Sequence, residues 1–483
     1  MRPQSFFRNL LLLIFLNLLI KPFWLLGIDR TVQNITGPEA YGLYYALFSL
    51  SFYTQILLDP GLHTFNNREI AGNPLLLSKY LASFVPLKII LSGIYLGATL
   101  LGGVILGYNS YAIYLLFWIA IIQVLSSLLL YFRSNLAGLH LFRTDSVFSV
   151  LDRTLMILIC GILIWGPVLD TFHIEWFVYA QAAALAMSCI AAAIVVSRKS
   201  SLSHFPGVRF IMLWVVLRKS YPYALLALLM TLYSRTDSLM LERLLPDGSY
   251  QAGIYASGYR LMEAANMIAF LFATLLLPLF ARRIARKESV GDISQPSMKL
   301  LMVPALALTL GSFFFREEIM NLLYTDTTAY SGWVFGWLML SFPMQCMIYI
   351  YGTLLTANGS MRFLNKISLI SVLTNIALNF ILIPQYEAPG AVMATVVTQS
   401  ATAIGITLYA HKIFDLRWPV GDLWRFGLFL AVILPAFALG QLLQWHWAVN
   451  LTVLMFFTFT FAVIIGLLKP RWLAAAIHQR TEV

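Results

Sequence analysis

GIYASGYRL (residues 253–261) echoes GLYYALFSL (residues 42–50) at an offset of 211 residues. Gly42 aligns with Gly253, Leu43 with Ile254, Tyr44 with Tyr255, Phe48 with Tyr259 and Leu50 with Leu261. Both stretches follow a polar, acidic turn and open a long apolar run. Such a match marks one structural unit used twice, and the medium that unit occupies decides the architecture.

Around this pair the chain is 60% hydrophobic and 11% charged over 483 residues, with a mean hydropathy of +0.80. A water-soluble domain is nearer about 45–50% apolar and about 25% charged. The apolar residues fall in continuous runs long enough to cross a hydrocarbon core of roughly 30 Å as helices. They do not alternate, which excludes a β-barrel. The expected fold is therefore all-α, a polytopic membrane protein with about fourteen transmembrane helices. The expected spans are 9–29, 40–62, 80–106, 111–137, 147–168, 174–197, 219–241, 252–280, 298–315, 331–356, 363–383, 389–411, 424–443 and 448–468. Arg2 and Arg8 ahead of the first run imitate a signal peptide. Lys21, Pro22, Phe23 and Trp24 stand where a small-residue cleavage site would be, so the run reads as a retained helix.

Charge gives the orientation. With the N-terminus in the cytoplasm, twenty-four Lys and Arg fall on the inner side and three, Arg30, Arg243 and Arg316, on the outer side. That asymmetry obeys the positive-inside rule and puts both termini in the cytoplasm. It also accounts for the net charge of +11 without nucleic acid, because basic loops meet acidic membrane lipids.

The repeat pairs spans one to six with spans seven to twelve. Six crossings return a chain to its starting side, so the halves run parallel, as two six-helix bundles related by a pseudo-twofold axis along the membrane normal. The expected organisation is an N-terminal six-helix lobe over 1–197 and a basic cytoplasmic linker over 198–218. A C-terminal six-helix lobe over 219–412 follows, then two extra helices and a cytoplasmic tail over 413–483. Transporters built this way hold their substrate between the halves.

Within the spans, charge is rare and informative. LMTLYSRTDSLMLERLL (residues 229–245) contains Arg235 and Asp237. Two residues turn a helix by about 200°, so these two side chains cannot pair with one another. Arg260 and Glu263, three apart, share a face and can. Lys21 lies past the midpoint of the first span. A charge at the bilayer centre costs roughly 2.5–3.5 kcal/mol, and something must offset it. Two readings stay open. Arg235, Arg260 and Lys21 line a cationic cavity for an anionic headgroup, or Arg235 with Glu263 and Asp237 with Arg260 form an internal salt-bridge lattice. Asp59, ahead of Pro60 and Gly61, is either a helix-ending polar turn or a proton or cation site. Lys88 and Arg133 either snorkel or serve function.

No Walker motif, nucleophile elbow or Cys/His metal spacing occurs, so neither an enzyme nor a resident cofactor is expected. Cys160, Cys189 and Cys346 sit inside apolar runs and read as small core residues.

Three stretches carry a resemblance. GIDRTVQNITGPEAYGLYYALFSLSFYTQILLDPGL (27–62), QAGIYASGYRLMEAANMIAFLFATLLLP (251–278) and NIALNFILIPQYEAPGAVMATVVTQ (375–399) resemble segments of bacterial polysaccharide/oligosaccharide flippases. These belong to the multidrug/oligosaccharidyl-lipid/polysaccharide exporter superfamily. The resemblance implies two six-helix bundles in a V around a central cavity. The implied substrate is an oligosaccharide on an undecaprenyl pyrophosphate carrier, moved from the inner to the outer leaflet of the cytoplasmic membrane for lipopolysaccharide, capsule or exopolysaccharide synthesis. It assigns pyrophosphate binding to Arg235 and Arg260, with Lys21 behind them. It implies an ion gradient, H+ or Na+, as driving force, for which Asp237, Glu263 and Asp59 are the candidate carboxylates. A drug or metabolite exporter of the same superfamily is the nearest alternative, though acidic cavity residues would suit organic cations better. A membrane polysaccharide polymerase or ligase is the alternative of another class. It would carry a large catalytic outer loop, and the longest here, around 316–330, is small.

Overall fold

The computed structural model describes residues 16–17, 19–200, 210–416, 420–443 and 445–468. The first expected span and the basic linker lie partly outside the described residues, and the C-terminal tail beyond 468 lies wholly outside them. Among the described residues every regular element is helical. Twelve helical stretches are long and apolar enough to cross a membrane, so the chain is a polytopic membrane protein.

The chain divides between Gly253 and Ile254 into two compact units. In the first, a π-helical turn Trp24–Asp29 leads into α1 (Arg30–Tyr53), α2 (Leu62–Gly72), α3 (Leu77–Ile105), α4 (Ser110–Gly138), α5 (Phe142–Trp165), α6 (Ile174–Ser197) and α7 (Phe210–Leu244). α8 (Gly248–Ala285) begins in the first unit and continues in the second. The second holds α9 (Gly291–Phe314), α10 (Arg316–Leu323), α11 (Ala329–Met339), α12 (Phe342–Ala357), α13 (Met361–Tyr386), α14 (Ala388–Ile413), α15 (Val420–Gly440) and α16 (Trp447–Ile464).

The run expected over 40–62 differs most. Its helix starts ten residues earlier, at Arg30, and bends at Gly37, whose φ of +79° breaks the helical geometry. Pro38 follows, a residue that suits the first turn of a helix because it has no N–H to lose. α1 then ends at Tyr53, and a short irregular stretch leads on into the separate helix α2. With its polar first turns, α1 is not among the twelve apolar stretches. The expected span 331–356 is interrupted at Leu340–Ser341 into α11 and α12.

In the first unit α4 packs on α2, α3 and α6, and α1 packs on α7. Asn109 starts α4 by accepting from the Ala112 N–H at 2.8 Å, satisfying one orphan donor of the helix end. In the second unit α14 packs on α12 and α13, while α15 and α16 join α9. Their common core contains Val303, Leu310, Phe429, Ile433, Phe437 and Leu454. Lys299 of α9 reaches Asp422 of α15 at 2.5 Å, which fixes one end of that packing. Large apolar side chains such as Ile89, Ile94, Leu101 and Val104 remain exposed along α3, as expected where the solvent is lipid.

Candidate functional site

The register of α7 on α1 is set by polar contacts. Ser49 and Ser238 hydroxyls lie 2.8 Å apart, and Tyr53 OH donates to Thr236 Oγ1 at 2.8 Å. Without water in the bilayer, such groups must satisfy one another across helices. Arg235 directly precedes Thr236 and is half-buried. Its Nη1 donates to Tyr45 OH at 2.9 Å. Its guanidinium carbon lies 5.7 Å from the ring centre of Tyr45, 5.6 Å from Phe48 and 5.1 Å from Phe52. Each such contact contributes about 0.5–2 kcal/mol, more as it is desolvated. Three of them are comparable to the roughly 2.5–3.5 kcal/mol cost of a charge at the bilayer centre. A ring stabilises a cation without removing its charge, so this cradle accommodates the charged guanidinium. Asp237 is fully buried in the first unit.

One helical turn before Arg235, Thr231 joins Phe52 in lining a cavity of about 620 Å³ wholly within the first unit. This volume lies within the usual range for ligand sites, about 300–1,000 Å³. Its wall also carries Asp59, His63, Arg68, Ser127 and Tyr223. Asp59 Oδ1 accepts from the N–H groups of Gly61 at 3.0 Å and His63 at 3.4 Å, capping α2. Gly61 has a φ of +100°, which favours glycine at this turn. Asp59 Oδ2 accepts from Lys88 Nζ at 2.8 Å and lies 3.3 Å from His63 Nδ1. Lys88 is sealed, with 1% of its surface exposed. Its ammonium also donates to Ser127 Oγ at 2.7 Å and to the carbonyls of Leu58 and Ser127, both at 3.3 Å. Asp59 is thus both the helix-ending turn and one half of a buried ion pair.

The other expected site residues are placed apart from this cavity wall. Lys21 is half-buried beside α5, and the charges that bear on it are those of Arg153, Asp152 and Arg133. There the Arg153 guanidinium lies 4.1 Å over the Trp24 ring, and Trp24 Nε1 donates to Met156 Sδ at 3.0 Å. Arg260 belongs to the second unit, is buried, and pairs with Glu263 at 2.9 Å along α8, as their spacing predicts. Arg133 pairs with Asp145 at 2.8 Å. Among the described residues no cluster of His, Cys, Asp and Glu could hold a metal ion, and all three cysteines are buried and free.

Sequence reasoning missed the aromatic cradle and the partner of Asp59. The cradle had a signal, since Tyr41, Tyr45, Phe48 and Phe52 keep helical spacing along α1. The Asp59–Lys88 pair had a weaker one, two opposite charges on consecutive apolar segments.

Residues 6–284 match the family described as polysaccharide biosynthesis protein. The chain is similar to the capsular polysaccharide biosynthesis protein CapF of Staphylococcus aureus, at 23% identity over 198 residues, 40% of this chain and 49% of that protein. It thus spans about half the length of the curated relative it matches. Among solved structures, the lipid II flippase MurJ in an inward closed conformation superposes with a TM-score of 0.68 at 13% identity, covering 92% of this chain and 97% of that one. An inward-facing multidrug resistance MATE family transporter of the MOP superfamily superposes with a TM-score of 0.60 at 14% identity, covering 83% of this chain and 98% of that one. At these identities the likeness is one of fold.

Proposed function

Because the chain belongs to the polysaccharide biosynthesis protein family, we propose that it moves a lipid-linked oligosaccharide across a bacterial cytoplasmic membrane. The cargo is an oligosaccharide on undecaprenyl pyrophosphate, carried from the inner to the outer leaflet for surface polysaccharide assembly. Both termini face the cytoplasm. The lobes over 1–197 and 219–412 rock in alternating access, and an H+ or Na+ gradient drives them.

The observation that carries this reading is the half-buried Arg235 in its cradle of Tyr45, Phe48 and Phe52. A pyrophosphate cannot enter hydrocarbon unaided, and a cation kept charged at depth replaces part of its hydration. The ring contacts leave the guanidinium its charge, and its planar fork of N–H donors suits phosphate. Arg260 and Lys21 are proposed as further pyrophosphate contacts, and Asp59, Asp237 and Glu263 as carboxylates that respond to the coupling ion.

The test is complementation of a strain lacking this chain. The wild-type chain restores surface polysaccharide, whereas Arg235→Ala at equal membrane abundance accumulates lipid-linked oligosaccharide on the inner leaflet. Full polysaccharide from Arg235→Ala at that abundance would overturn the assignment.

A further inference from the structure

We propose that the first-unit cavity is a carbohydrate site, which takes the sugar joined to the pyrophosphate of the cargo. Gln55, Ser126 and Tyr223 supply its hydrogen bonds, and Phe52 and Tyr223 supply its ring faces. The assignment rests on the transporter reading above and specifies where the sugar of that cargo lies.

Position comes first. Phe52 serves both places, since its ring centre lies 5.1 Å from the Arg235 guanidinium carbon and it also lines the cavity. Along α7 the wall runs from Tyr223 to Thr231, eight residues or about 12 Å, and Arg235 follows one turn later. In the cargo the first sugar is bonded directly to the pyrophosphate. An anion held by Arg235 therefore delivers that sugar to the cavity beside it.

The chemistry of the wall selects the occupant. Its charges are matched within the protein. Asp59 accepts from Lys88 and from two backbone N–H groups, Lys88 is sealed, and Arg68 pairs with Glu69 at 2.9 Å. Neither an organic cation nor a second anion finds an uncompensated partner there. By contrast, the side chains of Gln55, Ser126 and Tyr223 line the cavity and make no hydrogen bond among the described residues. The first two are half-buried and Tyr223 is exposed. The Gln55 amide donates and accepts, and so does each hydroxyl. Thr231 already donates to the Ala227 carbonyl at 2.8 Å, which leaves its oxygen to accept. Neutral donors and acceptors beside aromatic faces suit a polyhydroxylated ring. Its hydroxyls meet the polar groups, and its C–H face packs on a ring. An acyl or prenyl chain would fill the same volume only by stripping water from three polar side chains without replacing their bonds.

The experiment uses the full-length protein in lipid nanodiscs with Ala227→Cys as a reporter on the cavity wall, the native cysteines being buried. Two probes are compared: lipid-linked oligosaccharide extracted from the strain lacking this chain, and tritiated undecaprenyl pyrophosphate without sugar. At about ten times its dissociation constant the oligosaccharide is expected to slow maleimide labelling of the reporter about tenfold. The bare carrier is expected to bind and to leave labelling unchanged. Gln55→Leu and Ser126→Ala are each expected to weaken oligosaccharide binding roughly fivefold, the value of one hydrogen bond. Carrier binding stays as in wild type, which also shows that these variants are folded. Equal protection by the bare carrier would put the prenyl chain in the cavity and overturn the proposal. Oligosaccharide binding with no protection, or with no loss in either variant, would overturn it as well. The two readings fail separately. If neither probe binds, the transporter reading falls and takes the sugar site with it. If the oligosaccharide binds through Arg235 and leaves the reporter open, only the sugar site falls.

Discussion

Gly42 of α1 and Gly253 at the start of α8 bring two helix backbones together where no side chain fits. A Cβ on Gly42 would lie 1.8 Å from the Ser249 carbonyl oxygen, and one on Gly253 would lie 1.9 Å from that of Pro38. Gln33 secures the crossing by donating from Nε2 to the Gly253 carbonyl at 2.9 Å. Gly42 and Gly253 are 211 residues apart, and so are Pro38 and Ser249. The two contacts are therefore the same contact with its partners exchanged.

The crossing predicts a steep penalty for one methyl group. Gly42→Ala and Gly253→Ala each place a carbon inside another helix's backbone, so the helices must separate. The cost is expected at or above the top of the usual overpacking range of about 1–3 kcal/mol. Gly37→Ala is the comparison, because its Cβ meets nothing within 4 Å and it is strained only by a backbone of φ +79°, ψ 165° that favours glycine, worth about 1–3 kcal/mol. Thermal unfolding in detergent should rank Gly37→Ala above the other two.

How far the sequence foretold this structure depended on the range of each interaction. Local patterns carried over. The apolar runs became helices, and Arg260 paired with Glu263 because their spacing already put them on one face. The start of α1 did not carry over, because Gly37 and Pro38 look like a boundary, whereas the helix bends there and continues from Arg30. Asp59 and Lys88 stayed separate in the sequence reading because all of α2 and the turn into α3 lie between them. Nothing in the local spacing of either residue names the other.

The aromatic cradle predicts graded effects around Arg235. Arg235→Lys keeps the charge but loses the planar fork, and complementation by it should be partial. Tyr45→Phe keeps the ring and loses the 2.9 Å hydrogen bond, a change of about 1 kcal/mol, or roughly fivefold in transport rate. Phe52→Leu removes the ring closest to the guanidinium and should cost a similar amount. Pulse-labelled surface polysaccharide at matched protein levels measures all three. A Lys variant equal to wild type would show that bidentate geometry does not matter.

The Asp59–Lys88 pair predicts a stability cycle of defined sign. Asp59→Asn leaves the ammonium of Lys88 buried without its carboxylate and is expected to cost about 3–5 kcal/mol. Lys88→Met strands Asp59, which keeps its cap on α2 and partial access to the cavity, so its cost should be smaller. The double neutral variant should recover most of the loss, because matched apolar replacement of a buried pair is near neutral. Unfolding curves for the four proteins give the coupling directly, and additive losses would show that the two groups do not act as a pair.

Arg260 and Glu263 allow a sharper separation of structure from cargo binding. The pair closes at 2.9 Å within one helix, Arg260 is 4% exposed, and Glu263 is the more accessible partner. If the pair only neutralises a charge at depth, the exchanged variant Arg260→Glu/Glu263→Arg preserves both charges on the same face and restores stability and polysaccharide together. If the guanidinium also meets pyrophosphate, the exchange restores stability and leaves transport low, because the cation now sits three residues, or about 4.5 Å, further along the helix. Arg260→Ala alone lowers both quantities and cannot distinguish the roles. Thermal unfolding and pulse-labelled polysaccharide measured on the exchanged variant decide between them. Joint recovery would remove Arg260 from the proposed cargo site and leave Arg235 as its principal cation.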